Sequence, residues 1–325
     1  MEKEHLSRLI RLKEGIHRIG IPVPFPVKYV YCYLMENESG YTLVDTGLNY
    51  KKAKAAWEEV FEELAIKPDD IHTIIITHFH PDHSGLAGWM QEKTNANVWM
   101  SDTDRKMFQL AFMKNDIQAI DVNKLLSNHG VNEELRKAIL NNLENITERV
   151  QPYATVNSIT KKNWNLDGRA WRILETPGHS QGHLCFYQED ENILLAGDMI
   201  LDKITPNISL WPGGSDRPLE DYLNSLKDLK QLSISRAWPG HGGIIDEVNK
   251  RIDELIEHHE NRLNKIADLA TQKSGSEIAG ELFAEKELNA HQWRFAISET
   301  LAHLEYLVDQ EKINRIASNP ILYTK

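Results

Sequence analysis

The chain has 325 residues, 41% hydrophobic and 26% charged, enough to bury one large core plus a smaller appended unit. A formal net charge of -11 sets the average surface against nucleic acid and anionic membrane, leaving at most a local basic groove. Two cysteines, Cys32 and Cys185, lie far apart outside any CxxC pattern; they read as small core residues rather than a disulfide framework. The N-terminal stretch lacks a signal-peptide pattern, and no apolar run reaches the roughly eighteen residues of a membrane span. The expectation is a cytoplasmic protein.

Residues 10–46 alternate and are rich in Val, Ile and Tyr, with Pro22, Pro24 and Pro26 interrupting the first part. They predict a meander of strands, with Tyr29–Met35 and Tyr41–Val44 paired as a hairpin around Glu38, Ser39 and Gly40. The run ends in VDTG, where Asp45 could simply cap the following turn. Trp57, Val60, Phe61 and Leu64 recur at helical spacing and predict an amphipathic helix over 50–66. Strand, helix and a further strand at Thr73–Ile76 make a β-α-β order, which argues for a mixed sheet with helices outside.

The chemistry concentrates in IIITHFHPDHSGLAG, from Ile74 to Gly88. A β-branched run delivers His78, His80, Asp82 and His83 within six positions, around a turn at Pro81. Imidazole nitrogen and carboxylate oxygen are ligands suited to zinc and its neighbours, and a strand end can present them rigidly.

A strand at Asn97–Met100 precedes a helical stretch over 103–150, where Leu135, Ile139, Leu143, Ile146 and Val150 form a stripe that reads as core. Three more polar motifs then follow strand-like runs. TPGHSQGH, with His179 and His183, comes after Trp171–Leu174; Asp198 follows Ile193–Ala196; and His241 follows Ala237 and Trp238 between two glycines. Small Gly197 would let the backbone pass close to whatever these groups hold. The segment PNISLWPGGSD reads as a linker, in which Trp211 either lines a cleft mouth or packs on the surface. A helix is expected over 218–231. The tail predicts a long helix over Asp246–Ala270, a short one capped by Ser276, a third over His291–Val308, and a strand at Lys312–Ile316.

The HxHxDH pattern after a hydrophobic strand resembles the signature of the metallo-β-lactamase fold superfamily, and His179, Asp198 and His241 meet the rest of that pattern in order. The resemblance implies an α/β fold, an αββα sandwich over 1–245 with 103–150 as a helical insertion. It also implies two divalent metal ions, zinc by default, with iron or manganese as alternatives. By this pattern His78, His80 and His179 hold one ion, Asp82, His83 and His241 the other, and Asp198 bridges them. Asp45 would orient a histidine ligand, and His183 would bond to neighbours rather than to metal. Asp82 and Asp198 are the expected catalytic carboxylates, Asp82 as proton donor to the leaving group. Residues 105–130, with Met107, Phe108, Phe112 and Met113, are expected to form part of an apolar lid. The element order of 246–325 resembles the winged-helix-like unit of endoribonucleases and bacterial hydrolases of this superfamily.

These features favour hydrolysis of a small carboxylic derivative: a thioester, lactone or ester. The PGHSQGH and GDMI segments resemble the glyoxalase II branch, although its glutathione-binding tail is not evident. The alternative is endonucleolytic cleavage of single-stranded RNA. Against it, His291–Val308 carries only Arg294 beside Glu299 and Glu305, whereas a groove-reading helix needs several basic residues. Packing against the catalytic domain or a second subunit is the better expectation, and a homodimer through the tail or the inserted helices would fit their apolar faces. A closed structural zinc site would use four ligands, often with cysteine, unlike this set.

Overall fold

Strand alternation sorts the buried side chains of this chain into three layers. A computed structural model describes residues 8–325. The first sheet has seven strands in chain order: β1 (Arg8–Lys13), β2 (Ile16–Pro22), β3 (Tyr29–Asn37), β4 (Gly40–Val44), β5 (Ile71–Ile75), β6 (Asn97–Ser101) and β7 (Val156–Ile159). Pairing is antiparallel from β1 to β4 and parallel from β4 to β7. The second sheet comprises β8 (Asn163–Asn165), β9 (Ala170–Glu175), β10 (Leu184–Gln188), β11 (Ile193–Gly197) and β12 (Arg236–Pro239), with only β11 and β12 parallel.

On β3, Tyr31, Tyr33 and Met35 face the second sheet, where they share a core with Leu184 and Phe186 of β10 and Trp238 of β12. The intervening Val30, Cys32 and Leu34 face outward under α1 (Lys51–Leu64), which buries Trp57, Val60 and Phe61 against them. The other face of β10 gives Cys185 and Tyr187 to a third core. This is the αββα sandwich that the family resemblance implies, with the mixed sheet that the β-α-β order predicts. Both cysteines are free and buried, as expected.

Three short helices follow on the first sheet's side: α2 (Pro81–Ser84), α3 (Ala87–Thr94) and α4 (Asp102–Phe108). The inserted stretch then runs through a π-helical turn at Gln109–Met113 into α5 (Asn115–Asn128) and α6 (Glu133–Thr147). After α7 (Pro218–Lys230) the tail runs α8 (Val248–Leu269), β13 (Thr271–Ser274), α9 (Gly275–Leu282), α10 (Ala290–Asp309), β14 (Asn314–Ile316) and β15 (Leu322–Thr324). The tail strands form a third sheet in the order β13-β15-β14, of which the sequence pattern predicts only β14. The expected cap on α9 also needs correction. Ser274, not Ser276, accepts from Glu277 N, and Glu277 bonds back to Ser274 N in a capping box worth about 1 kcal/mol.

The tail shares its core with the sandwich. Ile297, Leu301, Leu304 and Leu307 of α10 join Leu219, Leu223 and Leu226 of α7 in the cluster that covers β10 and β11. No helix among the described residues is long and apolar enough to cross a membrane.

Candidate metal centre

The polar motifs converge because parallel pairs present their carboxyl ends at one edge. On the first sheet β4 runs into Asp45, and β5 runs through Thr77 into His78. On the second, β11 runs into Asp198, and β12 runs into Gly240 and His241. Such edges are where α/β sheets collect ligands. Helix α2 adds Asp82 and His83. The seven residues singled out in the sequence come together in three overlapping trios: His78, His80 and His179; His78, His83 and Asp198; and Asp82, His83 and His241. Within each trio the ligand atoms lie within 4.8 Å of one another, a spacing at which they could hold a metal ion.

The backbone is shaped for this approach. Gly197 adopts φ +49°, and an added Cβ there would press on His183 Nε2. A Cβ on Gly240 would collide with Asp198 Oδ1 and the His83 ring.

Hydrogen bonds fix which nitrogen of each ring faces inward. His83 Nδ1 donates to Asp45 Oδ2 at 2.8 Å, His179 Nδ1 to the Asn207 carbonyl at 2.9 Å, and His241 Nδ1 to the Tyr29 carbonyl at 2.8 Å. Each acceptor demands a proton on Nδ1, which leaves the Nε2 lone pair for the centre. His78 Nδ1 lies 3.0 Å from Thr77 Oγ1, which in turn donates to Asp45 Oδ2 at 2.9 Å. Asp45 also accepts from Thr77 N at 2.8 Å. It therefore orients His83 directly and His78 through Thr77. It does so from a left-handed φ of +61°, a region that Asp tolerates better than most residues.

His183 behaves differently. Its Nδ1 pairs with Thr176 Oγ1 at 2.8 Å and its Nε2 accepts from Asp198 N at 3.1 Å, so both nitrogens are committed. It positions Asp198 and has no lone pair to spare. At the centre, by contrast, His78 Nε2, His83 Nε2 and Asp198 Oδ1 are buried with no hydrogen-bond partner. Each such orphan costs about 1–3 kcal/mol unless a ligand satisfies it. Three converging acceptors beside further carboxylate and imidazole groups suit a divalent cation.

Electrostatics divide the site. Burial and the surrounding histidines hold His78 well below the ordinary imidazole value, and burial and His179 do the same to His80. At His83 burial also pulls downward, but Asp198, Asp45 and Asp82 outweigh it and raise the value. Burial would raise Asp82 and Asp198, yet their histidine neighbours win and keep both carboxyls below the usual range. The site thus offers neutral rings on one side and ionised carboxylates on the other, a donor set fit for hard-to-borderline metal ions.

Sequence reasoning passed over two clamps. Asp104, in the first turn of α4, accepts from Phe79 N at 2.9 Å, Ser180 Oγ at 2.6 Å and Gly182 N at 2.7 Å. It ties the His80 loop to the His179 loop; burial lifts its carboxyl to about 6. Buried Arg18 lies 3.5 Å over the Tyr31 ring and donates to the Gly242 carbonyl at 2.7 Å, holding the His241 turn together with Tyr33, whose hydroxyl donates to the Pro239 carbonyl at 2.7 Å. Nothing in a lone Asp or Arg announces such roles; a first-turn Asp reads as a helix cap.

A cavity of about 280 Å³ opens beside His80 and His179. Of the four residues expected in an apolar lid, Met107 and Phe112 line it. Phe108 instead packs into the first sheet's outer core, and Met113 is 51% exposed. The α6 stripe packs on the cores as expected, with Ile139 and Val150 buried in them and Leu135, Leu143 and Ile146 against them; Leu143 and Ile146 line the cavity as well. Trp211 lines it too.

Residues 26–241 match the metallo-beta-lactamase superfamily, and residues 263–323 match the metallo-beta-lactamase-like C-terminal domain. The chain belongs to the metallo-beta-lactamase superfamily. It is 30% identical to a Bacillus subtilis (strain 168) protein described as the probable metallo-hydrolase YqjP, over 96% of this chain and 98% of that one. Among solved structures, the metallo-beta-lactamase family protein TTHA1429 from Thermus thermophilus is 34% identical with a TM-score of 0.88, covering 97% of this chain and all of the other. A more distant relative, the atrochrysone carboxyl ACP thioesterase of Aspergillus fumigatus, is 22% identical over 76% of this chain and 61% of its own.

Proposed function

We propose that this superfamily member, a metallo-hydrolase, cleaves small carboxylic derivatives, with thioesters first and lactones or esters next. The observation that carries the reading is the cavity. It opens on His80 and His179 and is walled by Phe79, Met107, Phe112, Leu140 and Leu143, a lining for an aliphatic acyl group rather than a polyanion. The thioesterase named among the relatives points the same way.

In this reading His78, His80 and His179 would hold one divalent ion and Asp82, His83 and His241 the other, with Asp198 shared between the two. Bound there, the ions would supply Lewis-acid polarisation and an activated water. The chain's own residues do the rest. Asp45 and the Tyr29 and Asn207 carbonyls keep the rings aimed, and Asp104 keeps the two loops in register. Asp82 is the most accessible of the three carboxylates, its side chain 18% exposed against 8% for Asp198 and 2% for Asp45, which supports a role for it in carrying a proton to the leaving group. The tail, 246–325, reads as a winged-helix-like unit turned inward. Residues along nearly every side of α10 are buried, which suits closing the cavity better than reading a nucleic acid.

The test is a paired assay of the metal-loaded protein on thioester and lactone substrates and on single-stranded RNA, with His78→Ala as control. Turnover of the small substrates by the wild type alone is the expected result. Cleavage of RNA alone, lost in His78→Ala, would replace this reading with an endoribonuclease.

A further inference from the structure

The cavity contains donors that the protein leaves without acceptors. Arg294 reaches it from the first turns of α10, so the tail contributes a charged side chain to the cavity that His80 and His179 open onto. Its Nε is enclosed and has no hydrogen-bond partner. Its Nη2 lies 3.5 Å from His291 Nδ1, but that nitrogen faces the Asn142 side-chain oxygen at 3.2 Å and must donate to it. Arg294 makes no ion pair among the described residues, whereas one turn further along α10 Glu299 is already paired with Arg262 at 3.3 Å. The faces of Phe295 and Trp211 flank the guanidinium at 4.3 and 5.7 Å. Gln118, only 6% exposed, lines the same cavity, and its Nε2 is also without a partner. Two acids of the lining, Asp116 and Glu144, are exposed at the rim and leave the interior to these donors. Asp82, in the metal centre, exerts the one acidic influence on Arg294 and lies beyond ion-pair distance. Burial draws the guanidinium down to about 10, still cationic at neutral pH.

Arg294 is half-buried with its Nε enclosed, and a donor enclosed in this way is costly to leave without an acceptor. A guanidinium fork matches a carboxylate through two parallel N–H···O bonds. Met107, Phe112 and Leu143 line the same cavity as the fork, His80 and His179, and their side chains fit an aliphatic stem. We infer that Arg294, aided by Gln118, anchors a carboxylate at the far end of the acyl group, so that the preferred substrates are half-esters or half-thioesters of short dicarboxylic acids. This rests on the hydrolase reading above. The enclosed Nε on the cavity lining argues for an anion on the acyl side; a bulky charged leaving group would stay at the mouth of a cavity this small.

The experiment uses the metal-loaded full chain with half-thioesters of succinate, glutarate and adipate on one small neutral thiol, each matched to the same compound with its free carboxylate capped as an amide. The wild type is expected to favour at least one carboxylate over its amide by about 10- to 100-fold in kcat/KM, the size of one charged hydrogen-bonded contact. Arg294→Gln should collapse that ratio chiefly through KM, and Arg294→Lys should restore part of it. Equal use of acid and amide by the wild type, or a ratio unchanged in Arg294→Gln, would overturn the anchor while leaving the hydrolase reading standing. Glutarate binding by calorimetry, with butyrate as the single-carboxylate control for the metals, gives a readout independent of turnover. Binding of glutarate weakened about tenfold or more in Arg294→Gln, with butyrate unaffected, supports the anchor even if no thioester is cleaved, in which case the hydrolase reading alone falls.

Discussion

The metal centre and the interior of the tail both bury clustered histidines, yet they satisfy the rings in opposite ways. At the centre, His83, His179 and His241 each spend Nδ1 on an oxygen outside the cluster and aim Nε2 inward at carboxylates. In the tail, His259 Nδ1 donates to His303 Nε2 at 3.0 Å, and His303 Nδ1 donates to the Glu299 carbonyl at 2.7 Å. Among the described residues no carboxylate pairs with either ring; Tyr222 abuts His259 with ring centroids 5.3 Å apart. Burial, joined at His259 by the charge of His303, pushes these rings down to about 2 and about 3. The contrast teaches that clustered imidazoles do not make a metal site. Outside acceptors that set the tautomer, and acids that offset the ions, do.

The largest effect should separate the two clusters outright. His241→Ala is expected to lose metal and on the order of 10³-fold in kcat/KM, since several kcal/mol of charge stabilisation goes with it. His303→Ala should retain its full metal content after dialysis. Metal analysis of both variants beside the rates checks this, and metal loss in His303→Ala would erase the distinction.

A smaller effect tests the outside acceptors. Asp45→Asn keeps the size of the side chain but removes the charge that draws the His83 proton to Nδ1. Metal affinity should fall about 10- to 100-fold with the fold retained. A chelator-competition titration measures it, and an unchanged affinity would mean that the Asp45 bonds are incidental.

The smallest effect lies in the tail and appears only in acid. Because the folded rings of His259 and His303 titrate below the ordinary value near 6.5, an unfolded chain takes up protons that the folded chain refuses. Their stabilising contribution is complete above pH 6.5 and declines as the pH falls below it towards about 3. The double variant His259→Phe/His303→Leu removes both partners together, so it should be close to neutral in stability at pH 8 and lose less stability than the wild type between pH 6.5 and 5. Urea denaturation across that range decides; parallel losses in the two proteins would show that the pair does not carry the acid sensitivity.

Much of the centre was legible because its ligands are spaced by local geometry. A strand end and one turn bring His78, His80, Asp82 and His83 together within six positions, and the remaining candidates, picked out by the family pattern, each follow an apolar, strand-like run. The sandwich was legible through the family resemblance, whereas β3 and β10 are buried almost throughout, so which face each side chain takes was set by the two sheets. The α9 cap was readable too. Ser274 stands three residues before Glu277 as a capping box requires, whereas Ser276 stands next to it.

By itself, then, the amino-acid sequence determined the order of the elements and the donor atoms available at the strand ends, because both depend on periodicity and on neighbours a few positions apart. Tertiary structure alone decided how those donors are used. The acceptors that aim His179 and His241 are main-chain carbonyls of Asn207 and Tyr29, which any residue type would supply and no motif can mark. Asp104 became a clamp only because α4 meets the loops at Phe79 and Gly182 from opposite sides of the chain. Arg294 became a cavity residue only because α10 shares the core of α7, which turns the first turns of a tail helix towards the metal centre.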